Sequence, residues 1–289
     1  MTNHLAVAPW SLGLPDASPP QGMSLYRLPT GFYETRAAFA VKGGAFGDKR
    51  RFAASAVLIT HPAGDLLIDA GFGADLSEHV ALLPRVERAP YSREKTVKEQ
   101  LDAAGYDWAN LRGVLVTHVH WDHVSGLDSL HVPIWINADE MRYGAEDAHG
   151  AVFRTVSAGL PVHEYAFDGP AYLGFPASHD VYGDGSVVIA QAGGHTFGSV
   201  VVFVTVPDGD RYAFIGDIAW QSDAITDGLE RPWLMRKMAD TDAAKVRENL
   251  QRVIALRDLM RIVPAHDGGA YESIAALPAR FPTVDGSQR

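Results

Sequence analysis

With 289 residues, 25 Lys and Arg against 35 Asp and Glu, and no cysteine, the chain carries a formal charge of −10 at pH 7. These numbers exclude disulfide frameworks, thiolate metal sites and cysteine nucleophiles, and they weigh against nucleic acid or an anionic membrane as a partner. The length suffices for a full hydrophobic core, no apolar run is long enough to span a bilayer, and no charged start leads into an apolar leader, so the expected location is cytoplasmic.

Residues 1–22 hold Pro15, Pro19, Pro20 and Gly22 and predict an irregular arm, packed on the body or on a second subunit. Residues 23–289 are expected to form a single domain. Met23 to Leu28 and Ala37 to Val41 predict strands. Ala54 to Thr60 and Asp65 to Asp69 predict a hairpin around His61-Pro62-Ala63-Gly64. Asp69 then stands at the end of an apolar strand, where a carboxylate by itself most simply caps a turn. Thr96 to Ala104 has helical spacing and is closed by Gly105.

The next apolar strand runs into Thr117-His118-Val119-His120-Trp121-Asp122-His123. His118 and His120 are two apart, so on extended backbone they point to one side. Asp122 and His123 follow where the chain turns. Four imidazole and carboxylate groups this close are costly to desolvate without a metal ion, and the donor set suits zinc or another first-row ion.

Val132 to Ile136 predicts a short strand, with Asn137 or Asp139 capping a helix through Tyr143. From Glu146 to Tyr182 the periodicity fails; this aromatic-rich segment reads equally as a lid or as a packed excursion. His131, His149, His163 and His179 in and around it read as surface or packing residues. Val187 to Ala192 predicts a strand ending in Gly193-Gly194-His195-Thr196. Val200 to Val206 and Arg211 to Ile215 form a hairpin ending in Gly216-Asp217. Thr241 to Met260 is the clearest amphipathic helix. Arg261 to Asp267 predicts a last short strand carrying His266, and Tyr271 to Leu277 a terminal helix.

Asp69, His118, His120, His195, Asp217 and His266 therefore all follow apolar strands. If those strands run the same way, their ends gather at one edge. The order THVHWDH, GGHT, GD, PAHD, spread over Ala54 to Asp267, resembles the metallo-β-lactamase superfamily. That resemblance implies an α/β fold, an αβ/βα sandwich of two mixed sheets with external helices. It also implies two divalent ions, zinc before iron, manganese or cobalt. His118, His120 and His195 would hold one ion and Asp122, His123 and His266 the other. Asp217 would bridge them, and Asp69 would hydrogen-bond a ligand histidine. The implied chemistry is hydrolysis by a hydroxide shared between the ions, with Asp122 passing a proton to the leaving group.

Within that superfamily, Asp217 sets the chain apart from the true β-lactamases, and the length, the N-terminal arm, LIDAGFG (67–73) and the HxHxDH, GHT, GD, AH series resemble the quorum-quenching N-acyl homoserine lactone lactonases. The expected substrate is a small lactone or ester, with a homodimer favoured. Phosphotriesterase or arylesterase chemistry, a redox diiron centre and a non-catalytic metal-stabilised module are the alternatives. Three features depart from the lactonase pattern: Ser125 stands where a second Gly is common, GHTFGS (194–199) stands where GHTPGH is common, and Trp220 stands where many carry a Tyr that contacts the substrate carbonyl. Trp121, Trp220, Phe72 and Trp233 are the expected pocket residues, Trp121 first because it lies inside the ligand loop.

Overall fold

A computed structural model describes residues 4–281. Its strands are Ser24–Arg36 (β1), Lys49–Thr60 (β2), Asp65–Ile68 (β3), Tyr91–Arg93 (β4), Leu111–Leu115 (β5), Ile134–Ile136 (β6), Val162–Glu164 (β7), Ser178–Asp180 (β8), Val187–Gln191 (β9), Val200–Thr205 (β10), Arg211–Phe214 (β11), Arg261–Val263 (β12) and Ala275–Ala276 (β13). They form two mixed sheets. The first has the order β13-β1-β2-β3-β5-β6-β7 with β4 added on β1, and the second β12-β11-β10-β9-β8.

Period-two alternation explains how the sheets stack. In β2, Val57 and Ile59 point inward to meet Val187, Ile189, Val200, Val202 and Phe214 of the second sheet. Their neighbours Ala56 and Leu58 point outward, against Val97 and Leu101 of the helix Val97–Ala103 and Val152 and Phe153 of the helix Ala151–Val156. The second sheet repeats the arrangement: Val188, Ala190, Val201 and Phe203 face outward onto Leu250, Val253 and Ile254 of the helix Ala243–Leu256. Both faces of each sheet are thus covered. This is why the central strands read as unbroken apolar runs rather than alternating ones. The layers are helices, sheet, sheet, helices, as an αβ/βα sandwich requires.

Strand direction places the loaded residues. β3, β5 and β6 run parallel, so Asp69 and His118 leave the first sheet at one edge. In the second sheet β11 and β12 are parallel, and β9 and β11 are each antiparallel to β10. The residues after β9, β11 and β12 therefore exit together as well. One backbone strain sits there: Asp69 has φ 56, unusual for a residue with a Cβ.

Some expected elements differ. The predicted strand Ala37 to Val41 is instead a short helix, Ala37–Ala40, since three alanines in four residues favour helix and Ala37 and Ala40 can tuck inward. The predicted terminal helix is a 3₁₀ turn, Ala270–Ser273, followed by β13, because Ala275 and Ala276 pair with Tyr26 and Arg27 on the open edge of β1. The segment from Glu146 to Tyr182 is less irregular than its sequence implies. It contains the helix Ala151–Val156, β7 and β8, and its Phe153, Tyr165 and Phe175 are buried in three different core clusters. From the arm, Leu5 and Trp10 bond the backbone of Gly228 and Ala255, and Leu5, Val7, Trp10 and Leu14 pack on the outer face of the second sheet. No helix among the described residues is long and apolar enough to cross a membrane. Residues 282–289, within the expected single domain, lie outside the described residues.

Candidate metal centre

Two clusters of ligand-type groups sit at the shared edge. His118, His120, His195 and Asp217 form one, and Asp122, His123 and His266 the other. His118 and His120 come from the extended stretch after β5, whereas Trp121–Val124 is already a helical turn that swings Asp122 and His123 to the other side. Asp217 lies between the clusters with its oxygens divided. Oδ2 is 3.3 Å from His195 Nε2 and 3.8 Å from His118 Nε2, while Oδ1 is 3.1 Å from His266 Nε2 and 3.4 Å from His123 Nε2. His266 Nε2 also lies 3.5 Å from Asp122 Oδ2, and His195 Nε2 is 3.0 Å from His120 Nδ1.

These atoms pass the test for a metal site. His118 Nε2, His123 Nε2, His266 Nε2 and Asp217 Oδ1 are buried with no hydrogen-bond partner. Orphaned buried nitrogens and oxygens are costly unless something else satisfies them. Here they converge on two points, with nitrogen and oxygen donors that suit a borderline divalent ion.

The outward nitrogens are held. His123 Nδ1 is 2.8 Å from Asp69 Oδ2, and Asp69 also accepts from the Thr117 N–H at 2.7 Å and the Thr117 hydroxyl at 2.9 Å. The positive φ of Asp69 places its side chain where it can serve both. His266 Nδ1 meets the Ala53 carbonyl at 2.8 Å, and His195 Nδ1 meets Asp240 Oδ1 at 3.0 Å. Such partners fix the tautomer, leaving the inward nitrogen bare for an ion.

Charge follows burial and neighbours. Burial, joined by the surrounding histidines, holds His118 and His120 well below the usual histidine range. Burial also pushes His123 and His266 down, but the carboxylates around them outweigh it and the net shift is upward. Asp217 is held well below the usual carboxylate range because His266, His123 and His195 outweigh its burial. An ion entering the His123 and His266 side would therefore displace protons, and acid would oppose its uptake.

Four residues that sequence reasoning passed over complete the site. Glu140 is fully buried and ties the two histidine loops together, accepting from Val119 N–H at 2.8 Å, the Thr196 hydroxyl at 2.6 Å and Gly198 N–H at 2.9 Å. Burial pushes its carboxyl up to about 7 against those donors. A Cβ on Gly198 would lie 2.3 Å from Glu140 N, so this close approach requires glycine. Asp240 and Arg231 stand behind His195. Tyr33, from β1, packs its ring 5.6 Å from both Trp121 and His266. No local signal marks any of these as functional: each reads as an ordinary helix, loop or strand residue.

A cavity of about 550 Å³ opens over the clusters, lined by Tyr33, Phe52, Trp121, Trp220 and Met235 among others, and reached by His120, Asp122, His195 and Asp217. Trp121 and Trp220 thus border it. Trp220 Nε1 donates to Asp217 Oδ2 at 2.8 Å, so its one polar hydrogen is already committed. Two expected pocket residues do not line the cavity. Phe72 is fully buried beneath Trp121, stacked at 5.4 Å, and forms the floor rather than the wall. Trp233 is 61% exposed. It begins the helix Trp233–Ala239, whose Leu234, Met235 and Met238 face the cavity while Trp233 turns away beneath the Lys237 ammonium one turn on. Ser125 is buried and spans between structural partners, accepting from Gly73 N–H at 3.0 Å and meeting His79 Nδ1 at 2.7 Å.

Residues 50–266 match the family model of the metallo-beta-lactamase superfamily. The chain belongs to that superfamily. It is similar to a probable metallo-hydrolase of Mycobacterium tuberculosis (strain ATCC 25618 / H37Rv), 28% identical over 237 residues that cover 75% of each chain. It is also similar to the N-acyl homoserine lactonase AttM of Rhizobium johnstonii, 26% identical over 78% of this chain and 85% of the relative. Among solved structures, an N-acyl homoserine lactone hydrolase with N-hexanoyl-L-homoserine bound at its catalytic metal center aligns with a TM-score of 0.68. It is 16% identical and covers 88% of this chain and 97% of its own. AidC, a dizinc quorum-quenching lactonase, aligns at 0.57, 14% identical, over 92% and 90%. At these identities the structural likenesses concern the fold of this metallo-β-lactamase superfamily member.

Proposed function

We propose that this metal-dependent hydrolase opens the ring of an N-acyl homoserine lactone-type substrate at a site holding two divalent ions, zinc by preference of the donor set. The observation that carries the reading is the division of Asp217: one oxygen faces His118 and His195, the other His123 and His266. A carboxylate placed so fits a bridge between two cations better than any single-ion site. When bound, such ions supply an acidified water as nucleophile and polarise the substrate carbonyl. The lactonase names of the relatives support the substrate class.

The chain's own residues would do the rest. Tyr33 is partly buried, and its phenol is raised well above its usual pKa, by desolvation first and then by Asp122 and Asp217. It therefore keeps its proton at neutral pH and holds its O–H beside Asp122 at the cavity wall, a donor that Asp122 and a substrate carbonyl would share. Asp122, 6% exposed at the same wall, carries a proton from the attacking water to the ring oxygen that leaves. Trp121 and Phe52 exclude water from that face.

A substrate panel separates this reading from its nearest rival. The metal-loaded protein should open acyl homoserine lactones with kcat/KM at least about tenfold above that for aryl phosphotriesters, a difference of roughly 1.4 kcal/mol in the barrier. A clear preference for aryl phosphotriesters would move the protein to the phosphotriesterase alternative, and hydrolysis of neither would favour a non-catalytic module.

A further inference from the structure

Arg231 lies between the helices Ser222–Thr226 and Trp233–Ala239 and is only 5% exposed. A guanidinium is seldom buried so deeply without partners. One is Asp240: Arg231 Nη1 donates to Asp240 Oδ1, the oxygen that lies 3.0 Å from His195 Nδ1. Nη1 is itself 3.2 Å from His195 Nδ1. Nδ1 cannot both donate to Asp240 and accept from Arg231. With Nε2 turned toward the cluster, Nδ1 carries the proton and Asp240 accepts from both neighbours. Arg231 Nη2 donates to the Ile218 carbonyl at 3.2 Å, on the segment that carries Asp217. Its Cζ also sits 4.5 Å over the Trp220 ring, whose Nε1 donates to Asp217 Oδ2.

The two routes out of Arg231 converge. One ends on His195 Nε2 and the other on Asp217 Oδ2, and those atoms are 3.3 Å apart. Both belong to the cluster of His118, His120 and His195. The route through Asp240 ends on His195 and leaves untouched the partners of the other cluster, Asp69 on His123 and the Ala53 carbonyl on His266. The route through Trp220 is shared, because the Trp220 carbonyl accepts from the His266 N–H at 3.2 Å and Asp217 faces both clusters.

We propose that Arg231 is a positioning residue weighted toward one ion: through Asp240 it orients His195 and sets the metal affinity of the His118, His120 and His195 site, while its contact with Trp220 reaches Asp217, which both sites share. This rests on the two-ion reading above. A mere structural brace between the helix Trp233–Ala239 and the body would not discriminate between the two ions.

The test titrates metal-free protein with Zn²⁺ against a chromophoric chelator, and with Co²⁺ followed by visible absorption. Wild type should fill in two steps. Asp240→Asn should weaken one step by about 10–100-fold, the range for removing a ligand's outer partner, and leave the other step unchanged, and Arg231→Gln should weaken the same step as much and the other by a smaller factor. Arg231→Lys should recover part of the loss, because an ammonium can reach Asp240 but cannot also lie flat on Trp220. Asp69→Asn should weaken the opposite step, and the double variant Arg231→Gln/Asp69→Asn both. The Co²⁺ bands lost in Arg231→Gln and in Asp69→Asn should differ. Equal weakening of both steps, unchanged affinities, or unfolding of both Asp240→Asn and Arg231→Lys would overturn the proposal. A wild type that binds fewer than two ions would overturn the two-ion reading together with it, and is told apart because no variant is needed to see it.

Discussion

Asp217→Asn is expected to lower kcat/KM for lactone opening by about three orders of magnitude and to cut the bound metal to one ion or fewer per chain. The carboxylate serves both clusters with separate oxygens and also accepts from Trp220 Nε1. An amide has one oxygen and an NH₂. If the oxygen faces His123 and His266, the NH₂ confronts the Trp220 N–H and the His195 side. If it flips, the NH₂ points at the place of the second ion. Either arrangement sets donors where acceptors are needed and removes the buried negative charge among five histidines. Losing the charge stabilisation that ions give the transition state costs several kcal/mol, about 4, and each 1.36 kcal/mol is tenfold in rate. Steady-state kinetics on the folded variant, with circular dichroism beside them, would decide; activity within tenfold of wild type would remove Asp217 from its assigned place.

Phe72→Ala should have the largest effect on stability. The ring is fully buried, stacks nearly parallel on Trp121 at 5.4 Å and meets Tyr91 edge-on at 6.4 Å. The packing is close enough that a Cβ on Gly31 would fall 2.9 Å from the Phe72 ring. Truncation leaves a cavity under the ligand loop and is expected to cost about 3–5 kcal/mol. Urea unfolding should show a lower midpoint with an unchanged slope. A loss below about 1 kcal/mol would mean that Trp121 collapses into the space, and that the floor of the cavity is softer than its geometry implies.

Phe72 also shows where sequence reading reaches its limit. LIDAGFG places the ring just after a strand end, near the metal ligands, but adjacency along the chain does not say whether a side chain points into a cleft or beneath it. Trp233 fails for a related reason: a helix divides its residues between faces, and one aromatic at its first position carries no record of which face meets the cavity. Ala37 to Val41 reads as a strand only because its residues are apolar, while its alanines favour the helical turn found there. The strands that carry His118, His195 and Asp217 are legible because burial on both faces leaves an apolar run, and a run broken by histidine or aspartate at its end is conspicuous. Glu140, Asp240, Arg231 and Tyr33 have no such contrast. Each acquires its role from partners at least nine positions away, such as Asp240 beside Arg231, or far more, such as Tyr33 beside His266.

Two ions held by one divided carboxylate are the centre of the account, and counting them tests it most directly. The purified chain should be assayed for bound metal by mass spectrometry and for opening of an N-acyl homoserine lactone, before chelation, after it, and after metal is restored. Two ions per chain, with hydrolysis that disappears on chelation and returns in step with the second ion, is the predicted result. A chain that carries one ion or none and still opens the lactone at the same rate would contradict it.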